Sequence, residues 1–170
     1  MKNKEALFIT QAAMIAALYV VLTLFANALG LANYAVQIRF SEALTILPYF
    51  TPAAIPGLTV GCILSNLLTG CMPLDIVFGS FATLIGAAGT YLLRKYKLAA
   101  PFPPIIANTL IVPFILAYVY QFEGSIPYFM LTVGIGELIS CGILGMILLS
   151  ILDKYKGVIF KSQYIGKTRI

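Results

Sequence analysis

Apolar runs of about 20 residues recur along the chain, and charged residues are confined to their ends. A run of that length, wound as a helix, crosses a hydrocarbon core of about 30 Å. Composition agrees: the chain is 61% hydrophobic and 10% charged, whereas a soluble domain is normally about 25% charged. The expectation is an all-α membrane protein made of a single membrane domain, residues 1–170. Six helices are expected, at about 5–28, 41–50, 54–69, 74–93, 103–120 and 127–152, followed by a basic, frayed tail over 153–170.

The net charge of +5 is not the footprint of a nucleic-acid binder, which would line up cations and aromatics on one face. The cations fall in three groups: Lys2 and Lys4; Arg94, Lys95 and Lys97; and Lys154, Lys156, Lys161, Lys167 and Arg169. This is the spacing of cytoplasmic helix ends. Six spans then place both termini inside and the 27–40 loop outside. Helix 1 follows Lys2 and Lys4 as a signal peptide would, but its apolar run exceeds an h-region and it is expected to be retained. Cys62, Cys71 and Cys141 read as small buried hydrophobes, and with no histidine the sequence offers no metal-ligand spacing.

One stretch departs from the apolar pattern. Gln37, Arg39, Ser41 and Glu42 precede Pro48, Pro52 and Pro56, and Gly57 and Gly61 follow. A second helix of about ten residues spans about 15 Å and cannot cross the membrane alone unless part of the preceding loop is helical too. Thr51-Pro52 ends it, because proline disfavours helix in the residue before it. Two short, proline-bounded helices in succession indicate irregular backbone, which is tolerated at membrane depth where it lines a cavity or is buried in protein. In helix 1, Ala12, Ala13, Ala16 and Ala17 form strips of small residues at four-residue spacing. They serve either packing within the bundle or docking of a partner helix.

The chain has six carboxylates. Glu5, Glu123 and Asp153 lie at helix ends. Glu137 falls about 15 Å along helix 6, where a charge costs roughly 2.5–3.5 kcal/mol. It either binds a ligand or pairs with Arg39. Asp75 suits a helix N-terminus on electrostatic grounds alone; Arg39 and Glu42 can pair with each other; Asn66 and Asn108 can bridge helices. Taken together, Gln37, Glu42, Asn66, Asp75, Asn108 and Glu137 exceed what packing needs. They suit a small ligand rich in N–H donors. Catalysis has little support: there is no histidine and no serine set beside a base. Gly166-Lys167-Thr168 resembles the end of a phosphate-binding loop, but that loop would need glycine at Lys161. The chain is expected not to be an enzyme, and to use no cofactor.

VQIRFSEALTILPYFTPAAIPGLTVGC (Val36–Cys62), DIVFGSFATLIGAAGTYLLR (Asp75–Arg94), APFPPIIANTLIV (Ala100–Val112) and VGIGELIS (Val133–Ser140) resemble the QueT family. These are substrate-binding S components of energy-coupling factor (ECF) transporters for queuosine precursors. The resemblance implies a six-helix S component in a prokaryotic cell membrane, which docks onto a T subunit that works with two ATPases and meets that T subunit through small residues of helix 1. The implied ligands are 7-deazaguanines: 7-aminomethyl-7-deazaguanine, its nitrile, or queuine. On that reading Glu137 takes the guanine edge and Asp75 or Glu42 an ammonium. Asn66, Asn108 and Gln37 read other edges, Arg39 or an amide meets the carbonyl, and Tyr34 or Phe78 stacks on the ring. The alternatives are an S component for another vitamin and a non-transport membrane protein.

Overall fold

A computed structural model describes residues 2–30 and 38–160. Tyr34, Gln37 and the 166–168 stretch lie outside the described residues. Helices α1 (Lys2–Ala28), α2 (Ala54–Leu68), α3 (Pro73–Leu92), α4 (Phe102–Phe114), α5 (Ile126–Glu137) and α6 (Gly145–Ile159) account for most of the chain. Among the described residues there is no strand. Four helical stretches are long and apolar enough to cross a membrane: Lys4–Ala28, Pro73–Leu92, Lys97–Val119 and Ile126–Ile159. The protein is a membrane helical bundle.

The expected second helix is a 3-10 helix, Phe40–Tyr49, rather than an α-helix. Pro48 inside it has no N–H to give, and the Thr45 hydroxyl bonds back to the Glu42 carbonyl at 2.6 Å. At about 2.0 Å per residue its ten residues still fall short of the hydrocarbon core. Instead it is wedged among α1, α3 and α6, with Ile46 wholly buried. The three-residue period puts Arg39, Glu42 and Thr45 on one edge.

Neighbouring helices approach closely where side chains are small. A β-carbon added at Gly57 would lie 2.7 Å from the Ala12 carbonyl oxygen; one at Gly61 would lie 2.8 Å from Tyr19 Cβ and 3.0 Å from the Ala16 carbonyl. Half of the expected docking strip is therefore taken: Ala12 and Ala16 pack on α2, while Ala13 and Ala17 remain exposed. In α3, Gly86 and Gly89 make room for Pro104 and Pro103 of α4.

The last helical run differs from expectation. A π-helical segment, Leu138–Leu144, joins α5 to α6, and the helix continues to Ile159 instead of fraying at Asp153. Asp153 accepts hydrogen bonds from Lys97 and Lys156, each at 2.9 Å, and the buried Phe160 ring stacks on Phe50 at 5.1 Å. Those anchors hold the segment that charge alone marked as loose.

Gly61→Leu should overpack the α1–α2 contact and cost about 1–3 kcal/mol, lowering the melting temperature of the detergent-solubilised protein. Gly157→Ala, where an added β-carbon meets nothing within 4 Å, should leave the melting temperature unchanged or slightly raised.

Candidate functional site

A cavity of about 270 Å³ lies at one end of the bundle, near the low end of small-molecule sites at roughly 300–1,000 Å³. Arg39, Asn66, Asp75 and Tyr120 form its polar wall; Val112, Ile115, Leu116 and Phe122 form its apolar wall. Local structure places each group. Pro73 starts α3, which sets Asp75 in its first turn, buried. Asn66 lies near the end of α2 and faces Gly79, whose missing side chain leaves room for both Asn66 and Asp75. Arg39 precedes the 3-10 helix, and its backbone N–H donates to Ser140 Oγ at 3.2 Å. A π-helical turn, Ile115–Val119, widens the end of α4 and delivers Tyr120. The Tyr120 hydroxyl donates to Asp75 Oδ2 at 2.8 Å and accepts from the Met72 N–H at 3.2 Å. Burial and that bond to Asp75 push the phenol above its ordinary value, so it stays the donor.

A second polar group adjoins the cavity, one 3-10 turn beyond Arg39. Glu42 is 1% exposed. Its Oε1 accepts from the Tyr19 hydroxyl at 2.5 Å and its Oε2 from Asn108 Nδ2 at 3.5 Å. Glu137 Oε2 accepts from Cys141 Sγ at 3.1 Å, and that thiol also meets Thr45 Oγ1 at 3.3 Å and the Glu42 carbonyl at 3.4 Å. One ligand atom from each of Glu42, Glu137 and Cys141 falls within 4.8 Å of the others. Such a trio can offer a metal two oxygens and a sulfur. Here Glu42 accepts from Tyr19 and Asn108, and Glu137 accepts from the Cys141 thiol. Arg39 lines the cavity with Asp75, and Glu42 follows it by one 3-10 turn, so the two groups adjoin at Arg39.

Of the sequence candidates, Arg39, Asn66 and Asp75 meet at the cavity, and Glu42, Asn108 and Glu137 meet in the inner group. Phe78 joins neither. It is 48% exposed and lines an outward groove with Ile63, Val77 and Phe81. The inward face of α3 continues from Asp75 to Gly79, and Phe78 lies on the flank beside it. Four groups escaped the sequence reading: Tyr19, Thr45, Tyr120 and Cys141. Tyr19 carried a signal, since it follows Ala12 and Ala16 on one helix face and so brings a hydroxyl to the α2 contact. Cys141, read as an inert hydrophobe, is a hydrogen-bonding member of the inner group.

A family model described as "QueT transporter" matches residues 9–154. Among curated proteins, the queuosine precursor transporter QueT of Lactococcus lactis subsp. cremoris (strain MG1363) is 32% identical over 98 residues. That match covers 57% of this chain and 57% of the relative's length. No solved structure matches the chain.

Tyr19→Phe should leave Glu42 Oε1 without its donor at a buried position and destabilise the protein by about 1–3 kcal/mol, read as a lower melting temperature in detergent.

Proposed function

Because this chain belongs to the QueT transporter family, we propose that it is the substrate-binding S component of an ECF-type importer and that the cavity takes a queuosine precursor. The observation that carries the reading is the convergence of a carboxylate, an amide and a guanidinium on a cavity of about 270 Å³. A 7-deazaguanine shows an N1–H and an exocyclic amine along one edge and a carbonyl beside them. Asp75 accepts from the donor pair, Asn66 reads the neighbouring edge, and Arg39 donates to the carbonyl. Phe122, whose ring stacks on Tyr120 at 5.6 Å, supplies an aromatic wall. Glu42, Glu137 and Asn108 stand behind Arg39 and give acceptors for an aminomethyl or larger substituent.

The cavity is bounded by the 69–71 turn and by Tyr120 and Phe122, while Arg94, Lys95, Lys97, Lys154 and Lys156 lie at the opposite ends of their helices. The positive-inside rule then orients the cavity outward in a prokaryotic plasma membrane with both termini inside, the return of the chain between the parallel α1 and α2 counting as one of six passes although its 3-10 helix is short. Substrate is taken from outside and delivered inward with a T subunit and two ATPases. The exposed Ala13 and Ala17 are the part of the helix 1 strip that meets the T subunit; Ala12 and Ala16 are committed to α2.

Calorimetry on the purified chain should give binding of at least one of 7-aminomethyl-7-deazaguanine, its nitrile and queuine, and none of riboflavin or biotin. Asp75→Ala should weaken that binding by at least about tenfold, the loss of one good polar contact. Unchanged affinity would remove Asp75 from the ligand, and binding of a control vitamin alone would overturn the substrate.

A further inference from the structure

Tyr120 holds three separate parts of the site at once. Its hydroxyl donates to Asp75 Oδ2 at 2.8 Å and accepts from the Met72 N–H at 3.2 Å. Its backbone N–H donates to the Ile115 carbonyl at 3.1 Å, which seats it on the π-helical turn. The segment carrying it is bent sharply. Gln121, a residue with a side chain, sits at φ +53°, a region that residues other than glycine seldom occupy. That turn folds the chain back so that the Phe122 N–H reaches the Leu116 carbonyl at 3.1 Å and its ring lies against Tyr120. One phenol thus ties the end of α4 to the α2–α3 connection, over the cavity wall formed by Gly70, Cys71 and Asp75.

The Asp75 oxygen that Tyr120 holds belongs to the carboxylate most suited to a ligand's donors. A ligand N–H and the phenol O–H compete for it. We propose that Tyr120 is a latch: bonded to Asp75 and Met72 it closes the cavity, and an entering ligand displaces it by supplying its own donor to Asp75. Tyr120 is then a positioning residue that also sets specificity. A molecule without a donor for Asp75 cannot open the latch, however well its rings fit. The displacement half of this inference rests on the transporter reading above; the closing half does not.

Cys71 reports on the latch. It is half-buried on the cavity wall, whereas Cys62 and Cys141 are at most 1% exposed. The test is the rate at which a polar maleimide labels Cys71 in the full chain in detergent, with Cys71→Ser as the blank. Tyr120→Phe keeps the ring and removes the hydroxyl. It should speed labelling by at least about fivefold, the weight of one such hydrogen bond. Asp75→Ala should do the same, and the double variant should add little beyond either. Tyr118→Phe, on an exposed ring of the same helix end, should leave the rate unchanged. Unchanged labelling in Tyr120→Phe, or equal acceleration by Tyr118→Phe, would overturn the latch.

Ligand affinity separates the two readings. If Tyr120 yields to the ligand, Tyr120→Phe should bind the 7-deazaguanines more tightly than the parent chain. Weaker binding would mean that the phenol remains in place and would overturn displacement. If the parent chain binds none of them while Tyr120→Phe still accelerates labelling, the latch stands and the substrate assignment fails.

Discussion

A carboxylate buried inside the helical bundle sets the terms for the rest of this structure. Glu42 is 1% exposed, and an acid there is tolerated only when donors surround it. Those donors come from distant helices: the Tyr19 hydroxyl from α1 and the Asn108 amide from α4. Each helix must therefore come close enough to place a polar atom within reach of a central segment. That segment is the 3-10 helix, and its three-residue period aligns Arg39, Glu42 and Thr45 along one edge. An α-helix in the same place would turn Thr45 off the line and separate it from Cys141.

Close approach has its own requirement, which the small residues meet. Gly57 and Gly61 let α2 lie against the backbone of α1 at Ala12 and Ala16, and this brings Tyr19 over the 3-10 helix. Gly86 and Gly89 do the same for α4 at Pro104 and Pro103, and Asn108 stands one turn further along that helix. In lipid the hydrophobic effect does not press helices together, so van der Waals contact between flat surfaces and buried hydrogen bonds must hold them. The two devices reinforce each other, since the glycine contacts set distances at which the polar groups meet.

The candidate site is two polar groups that adjoin at Arg39. Arg39 lines the cavity together with Asp75, and Glu42 follows it by one 3-10 turn, which brings the cavity wall and the inner group together. The inventory of polar groups was legible beforehand. Arg39, Glu42, Asn66, Asp75, Asn108 and Glu137 stand out because polar groups are rare in an apolar chain, and rarity at depth is itself informative. Phe78 failed as a candidate because an aromatic carries no such signal: it suits a lipid-facing flank as well as a ring-stacking wall. Tyr120 and Cys141 were missed for the complementary reason. A tyrosine at a helix end and a cysteine in an apolar run have ordinary explanations until their partners are visible.

Hydropathy, charge placement and proline spacing are properties of neighbouring residues, and they alone determined the membrane class, the helical architecture, the interruption after residue 40 and the inventory of polar groups. Which of those groups would meet was decided by contacts across long stretches of chain: 66 residues between Asn108 and Glu42, 96 between Thr45 and Cys141, 45 between Tyr120 and Asp75. No local pattern encodes such pairs. They form only when helices have packed on their glycine and alanine faces and the 3-10 and π-helical segments have turned each side chain by an amount that a regular α-helix would not.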